Sequence, residues 1–392
     1  MIGTWCLANL HNQFGGELTT DKSFSGVSTD TRNICAGDLF VALRGPNFDA
    51  HEFIEQAVAS GAVAVVVDHE IQMDVPQWVV PDTRIALGEI ALANRQRFSG
   101  DLYAVTGSSG KTTVKEMLNC ILSQDSSVLA TKGNLNNDIG VPLTLFELSD
   151  EHQVAVIEQG ASAIGEIGYT TALSLPDVAI LNNAMGAHLE GFGSLQNIVE
   201  AKGEIFSELG NTQGTAVINF DDENSPFWLN QTEGQKRVLF SLKNSAADLF
   251  ADDIQPNGDG SYQFTLHRQA ESRKVNLNVM GLHNVSNALA ATAAVSVKGL
   301  SFDSIVAGLE SFNAVNGRMR PLKSAHGALL IDDSYNANPG SVMAAIDLLV
   351  DLPGESVLVL GDMAELGENS ALQHEEVGCR AAHKGVGRLW AT

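Results

Sequence analysis

Short aliphatic, β-branched runs recur along this chain, at Val63–Val67, Leu102–Thr106, Val154–Glu158, Val178–Asn182, Ala216–Asn219, Leu329–Asp332 and Val357–Leu360. Most lack the polar alternation of a strand with one wet face, so they predict buried parallel strands with helices on both faces. Helical patterns stand between several of them. After Lys111 the apolar residues Val114, Met117, Leu118, Ile121 and Leu122 fall on one helical face. Arg84–Phe98 and the Ala-rich Ala288–Val297 read as further helices. Repeated β-then-α order makes the fold class α/β. A chain of 392 residues predicts two or three domains. Boundaries are expected near Pro81-Asp82 and within Asn313–Pro321, where Asn-Gly-Arg-Met-Arg-Pro interrupts the pattern. The polar stretch Asp221–Arg273, with the turn signal Asn257-Gly258-Asp259-Gly260, reads as hairpins inside the middle domain.

Charge narrows the function classes. Lys and Arg number 23 against 47 Asp and Glu, so the net charge is 23 − 47 = −24 with His neutral. Such a surface repels phosphate backbones and anionic membranes, but a local pocket can still hold a small phosphate ligand. Cys6, Cys35, Cys120 and Cys379 show no C-x-x-C spacing, hence no zinc site or disulfide framework. The opening MIGTWCLANL lacks the cationic start of a secretory signal, and the aliphatic run Ala62–Val67 is far short of the ~20 residues of a membrane span. The expectation is a cytoplasmic protein with no membrane insertion and no nucleic-acid partner.

The sharpest motif is Thr106-Gly107-Ser108-Ser109-Gly110-Lys111-Thr112-Thr113, which follows a predicted strand and opens a predicted helix. Gly107 and Gly110 let backbone N–H groups turn inward, and the helix N-terminus adds positive potential. Lys111 can reach the β- and γ-phosphates of a nucleoside triphosphate, and Thr112 can place its hydroxyl on Mg²⁺. The spacing is a shortened variant of the common phosphate loop; the bland alternative is a strand-to-helix turn with a surface lysine.

Ligands of open parallel sheets gather at the carboxyl ends of the strands. Glu158 ends one run, where it could offer Mg²⁺ a hard oxygen or be a solvated acid. Asn182 and Asn183 end the next, with His188 a few residues on, a loop histidine that could equally be structural. Lys202, in Glu200–Phe206, reads from its neighbours alone as an ordinary helix-surface lysine. In Gly281–Asn287, His283, Asn284 and Asn287 could cap a helix or recognise a base through their amides. Arg318 lies in the second boundary segment, from which a guanidinium could reach a phosphate. Asp332–Ser341 gathers several polar groups, Asp333 among them, on a strand-to-helix loop.

Together these strings resemble the Mur ligase family over almost the whole chain. The shared layer is T-G-S-S-G-K-T at Thr106–Thr112, Glu158, His188, Lys202, H-N-x-x-N at His283–Asn287, and Gly317-Arg318. A more specific layer is G-N-L-N-N-D-I-G-V-P-L-T at Gly133–Thr144, H-L-E-G-F-G-S at His188–Ser194, A-K-G-E-I-F at Ala201–Phe206, and D-D-S-Y-N-A-N-P at Asp332–Pro339. It is similar to the branch that joins D-alanyl-D-alanine to UDP-N-acetylmuramoyl-tripeptide.

The resemblance implies three domains: residues 1–82 for the UDP end of the substrate, 83–314 for ATP and Mg²⁺, and 315–392 as a Rossmann-like ligase domain whose family pattern continues past Thr392. Ser28, Asp30, Thr31, Arg32 and Arg44 would hold the substrate's UDP end, and Asn134, Asn136, Asn137 and Asp138 the muramoyl peptide. Gly107, Ser108, Ser109, Gly110, Lys111, Thr112 and Thr113 would cradle ATP. His283, Asn284 and Asn287 would sit on the adenine side, with Arg318 at the phosphates and Asp333 at the ribose. Lys202 would be a carbamate, joining His188 at a second Mg²⁺, while Thr112 and Glu158 serve the first. Lys111, Lys202, His188 and Arg318 carry the implied chemistry, through an acyl phosphate, in a monomer. Gly160-Ala-Ser-Ala-Ile-Gly165 departs from the family run after the metal glutamate. Two alternatives stay open: another Mur-type amino-acid ligase, or a nucleotide-binding protein without turnover.

Overall fold

The computed structural model describes residues 1–186, 189–325 and 327–391. Two compact units emerge. One holds residues 1–100, 131–153 and 172–174; the other holds 101–130, 154–171 and 175–392.

The first unit is built on a five-stranded sheet. Its strands are β1 (Glu17–Leu18), β2 (Gly26–Ser28), β3 (Asp38–Val41), β4 (Ala64–Val67) and β5 (Gln77–Val79), in the order β1-β5-β4-β3-β2. All neighbours are parallel except β1 and β5. β3 and β4 are buried along their whole length, as the apolar runs Leu39–Val41 and Ala64–Val67 require. Phe40, Val65, Val67, Ile54 and Ala57 form the core. Helix α1 (Thr83–Arg97) starts where Asp82 accepts from Arg84 N at 2.8 Å, an N-cap worth about 1 kcal/mol. The sequence expectation of Arg84–Phe98 was displaced by one residue. Buried Asn94 accepts from Ile2 N and donates to Leu145 O, both at 2.8 Å, tying residues 131–153 to this unit.

The second unit is built on nine strands. They are β6 (Asp101–Thr106), β7 (Val128–Ala130), β8 (Val154–Glu158), β9 (Val178–Leu181), β10 (Thr215–Asn219), β11 (Lys236–Ser241), β12 (Leu249–Pro256), β13 (Ser261–Arg268) and β14 (Glu271–Met280). Their order is β7-β8-β6-β9-β10-β11-β12-β13-β14. Pairing is parallel up to β12, and β13 and β14 then fold back antiparallel. Those last strands are the hairpins read from the turn residues, but the first half of Asp221–Arg273 is not: it holds the helix Ser225–Gln231 and the parallel strand β11. Helix α2 (Lys111–Leu122) and helix α3 (His283–Ser296) pack on the sheet. Val114, Met117, Leu118 and Ile121 meet Tyr103, Val105 and Val156, all buried. Each such aliphatic side chain contributes about 1.5–3 kcal/mol. No described helix is long and apolar enough to cross a membrane.

Two expectations fail beyond this sheet. Leu329–Asp332 is not a buried parallel strand: as β16 it pairs antiparallel with β15 (Arg320–Lys323), and Leu329 and Leu330 are exposed. Val357–Leu360, here β17, does pair in parallel, with β18 (Arg388–Ala391), but Val357 and Val359 face solvent. Aliphatic character set the strand and not its burial, which depends on what packs against it.

Candidate active site

Parallel register decides which groups meet. β6 pairs Val105 with Glu158 on β8 and Thr106 with Leu181 on β9. Glu158 and Asn182 therefore flank the turn Gly107–Gly110 at the carboxyl edge. The turn feeds α2, whose first residue is Lys111. Lys111 Nζ folds back to donate to Gly107 O at 2.8 Å. Ser108 Oγ donates to Met185 O and accepts from Met185 N, both at 2.9 Å. Ser109 N donates to Asn183 Oδ1 at 2.9 Å, and Asn182 Nδ2 donates to Ser109 O at 3.1 Å. Asn182 and Asn183 thus form the floor under the loop.

Sequence reading noted these two asparagines but gave them no role. The available signal was an Asn doublet closing the strand next to the phosphate-loop strand.

A chain of amides runs on from that floor. Asn182 Nδ2 donates to Asn287 Oδ1 at 2.9 Å, Asn287 Nδ2 to Asn284 Oδ1 at 2.8 Å, and Asn284 Nδ2 to Met280 O at 2.7 Å. All three side chains are buried. In this arrangement the amides of Asn284 and Asn287 bond each other and the loop floor, so their position is fixed by the fold. Gly110 touches the chain directly. Its φ is +78°, and a Cβ there would lie 2.5 Å from Asn182 Nδ2 and 2.5 Å from Asn287 Oδ1. Gly110→Ala is expected to lower unfolding free energy by about 2–4 kcal/mol in urea titration, from left-handed strain and overpacking together. An unchanged midpoint would show that the loop and the amides can separate.

A cavity of about 240 Å³ opens beside the loop, lined among others by Ser109, Gly110, Thr113, His283, Arg318 and Asp333. Residues expected to bind one nucleotide therefore converge on one space. Burial lowers the Lys111 ammonium, Glu158 pulls it back up, and Arg318 pushes it down. His283 falls to about 4 through burial, so it is a neutral imidazole at pH 7. Burial raises the Asp333 carboxyl, against the hydrogen bond from Met319 N and the charge of Arg318.

Lys202 overturns the surface reading outright. It lies on α4 (Leu195–Gly203) with 2% of its surface exposed. Burial first, and then the charge of Lys111, lower its ammonium to about 7, with Glu204 pulling the other way. Glu204 also accepts from Gly165 N at 2.7 Å and Gly168 N at 2.8 Å, tying the Lys202 segment to the departing run after β8. Lys111 is thus the electrostatic hub of the site: it acts on Lys202, and Glu158 and Arg318 act on it. His188 lies outside the described residues.

The remaining expected contacts belong to the first unit. Buried Ser28 accepts from Asp30 N at 3.2 Å. Arg32 grips Asp30 through Nε and Nη2 at 2.9 and 2.6 Å and holds that carboxyl at about 2; Thr31 lies in the same turn. Arg44 pairs with Asp49 and Asp68 at 2.9 and 3.0 Å. Asn137 Oδ1 accepts from Gly140 N at 2.8 Å, starting the helix Gly140–Phe146, and Asp138 pairs with Arg84. Asn134 and Asn136 precede them in the same segment.

Known proteins carry this order of motifs. The Mur ligase family catalytic domain matches residues 23–95, the Mur ligase middle domain 105–295, and the Mur ligase glutamate ligase domain 317–392. The UDP-N-acetylmuramoyl-tripeptide--D-alanyl-D-alanine ligase of Escherichia coli K12 is 47% identical over 384 residues, covering 98% of this chain and 84% of its own. The chain belongs to the Mur ligase family. Among solved Mur ligases, MurF from Acinetobacter baumannii superimposes with a TM-score of 0.92 at 37% identity, covering 99% of this chain and 89% of that one. MurF from Thermotoga maritima, solved in complex with ADP, gives 0.83 at 32% identity, covering 91% and 81%. The three-domain Mur ligase architecture expected from the motifs is therefore the architecture of this chain.

Proposed function

We propose that this chain is an ATP-dependent amide ligase joining D-alanyl-D-alanine to UDP-N-acetylmuramoyl-tripeptide, acting as a cytoplasmic monomer. What carries the reading is the strand-borne loop Gly107–Thr113, with Lys111 acting on Lys202 and acted on by Glu158 and Arg318. A carboxylate is a poor acyl donor because oxide cannot leave. Its oxygen instead attacks the γ-phosphorus of ATP, forming an acyl phosphate as the bond to ADP breaks. The dipeptide amine then attacks the acyl carbon, phosphate leaves, and the amine loses its proton. Both steps move negative charge, which fixed cations and inward N–H groups stabilise.

In this reading Lys111 and the N–H groups that open α2 take the phosphates. Arg318 approaches them from its turn, neutral His283 stands on the adenine side, and Asp333 stands at the ribose. Asn284 and Asn287 support that side through the amide chain. The donor set fits Mg²⁺: Glu158 is a buried carboxylate at the loop edge, and Thr112 is a buried hydroxyl. Mg²⁺ bound there would neutralise phosphate charge. Lys202, carbamylated, would supply a second oxygen site, joined by His188. Ser28, Asp30, Thr31, Arg32 and Arg44, with Asn134, Asn136, Asn137 and Asp138, would hold the precursor.

Release of ADP and phosphate is the direct test. It should require tripeptide precursor and D-alanyl-D-alanine together. Turnover with a single amino acid in place of the dipeptide would favour another Mur-type ligase, and ATP binding without turnover a non-catalytic protein. Asp333→Ala should raise the apparent KM for ATP about tenfold while moving that for tripeptide less than twofold; the reverse order would place Asp333 on the substrate side.

A further inference from the structure

The guanidinium of Arg318 stacks on the ring of Tyr335, its Cζ 4.2 Å from the ring centroid. This contact belongs to a three-point clamp. Gly317 and Met319, either side of Arg318, both take positive φ, at +71° and +48°. The clamp comes from residues 333–335, just past β16. Tyr335 N donates to Gly317 O at 3.1 Å, and Asp333 Oδ1 accepts from Met319 N at 3.0 Å. A Cβ at Gly317 would stand 3.1 Å from Tyr335 N and Cβ, so the backbones meet closely. The β15–β16 register explains the meeting: Arg320 pairs with Asp332, which brings the residues before one strand against those after the other.

We infer that Tyr335 is a positioning residue that holds Arg318 in the nucleotide cavity. The inference rests on the reading of that cavity as the ATP site. Arg318 lines the cavity, and its charge acts on both Lys111 and Asp333. A long side chain at such a place would otherwise sample many rotamers, and ordering it on ligand binding costs free energy. Stacking uses only the face of the guanidinium. Its five N–H donors lie in the plane and stay available to phosphate oxygens. Tyr335 is 53% exposed and fills no core position, so packing does not account for an aromatic side chain there.

The test is a double-mutant cycle on ATP affinity by titration calorimetry with Mg²⁺, in the absence of tripeptide, together with KM for ATP in the ligase assay. Tyr335→Ala should weaken ATP binding by about 2- to 30-fold, the span of measured cation–π contacts. Tyr335→Phe should restore affinity to within about twofold, because the face and not the hydroxyl is used. In an Arg318→Ala background, Tyr335→Ala should change affinity less than about twofold. The melting temperature of each Tyr335 variant should match that of the parent chain. Equal effects of Tyr335→Ala in both backgrounds, or a lowered melting temperature accounting for the loss, would overturn the inference and leave Tyr335 a loop-packing residue. If Arg318→Ala weakens ATP binding while Tyr335→Ala does not, the inference alone fails. If Arg318→Ala has no effect, the placing of Arg318 at the phosphates fails with it.

Discussion

Lys111→Ala should lower kcat/KM for ATP on the order of 10³-fold while leaving the unliganded fold as stable as before. The size follows from where the charge develops. A transferring phosphoryl group spreads negative charge over its oxygens, and one fixed cation in a low-dielectric site is worth several kcal/mol to that state. The unchanged stability follows from what Lys111 does without ligand. Its ammonium is buried enough to be lowered, and its hydrogen bond runs to Gly107 O within its own loop. Removing it deletes a desolvated charge together with one local bond, and the two nearly offset. Steady-state kinetics with calorimetric ADP binding, beside a urea titration of the unliganded variant, checks both halves. Near-parent turnover would remove Lys111 from the chemistry, and a large loss of stability would make it a structural lysine. Lys111→Arg should rescue poorly, because the planar fork is broader than an ammonium on a loop this tight.

Legibility divided along the line between local and distant causes. The turn Gly107–Gly110 between strand and helix could be placed because strand, glycines, lysine and helix are contiguous, and each constrains the next. The position of Glu158 at the same edge could be placed because parallel strands align their ends. The antiparallel extension after β12 was visible in Asn257–Gly260. Lys202 could not be read from its neighbours: its helix shows nothing unusual, and the Lys111 charge that acts on it comes from a distant part of the sequence. The Asn182–Asn287 bond spans 105 residues and joins the end of β9 to the second turn of α3, neither of which announces the other in sequence. The same limit applies to β16. Leu329–Asp332 is as aliphatic as β8, yet it pairs with a short antiparallel strand and stays half in solvent. Strand propensity is local, but the face a strand buries is a property of the assembled sheet.

Lys202→Ala should cost about 10²- to 10³-fold in kcat and regain part of it on adding a small carboxylic acid. A lysine with 2% exposure, pushed down by burial and by Lys111, has an ammonium at about 7. At pH 7 a far larger share of it is therefore free amine than in an ordinary lysine, which is almost wholly protonated. Only the neutral amine attacks CO₂, forming the N–C bond of a carbamate and releasing a proton. The fold thus favours this modification, and a carbamate's oxygens suit Mg²⁺ where an ammonium would repel it. The sign with pH is fixed. The neutral fraction rises with pH and falls on acidification, so carbamate and activity should fall together as pH drops below 7. A ¹³C carbamate signal from labelled bicarbonate, present in the parent chain and missing in Lys202→Ala, reads the modification apart from turnover. Lys202→Arg keeps the charge and much of the bulk but stays protonated, so it should show neither signal nor activity. Full activity in Lys202→Arg would mean that the site needs only a cation. Loss without chemical rescue, and no carbamate signal in the parent chain, would mean that the buried amine itself is what the reaction uses.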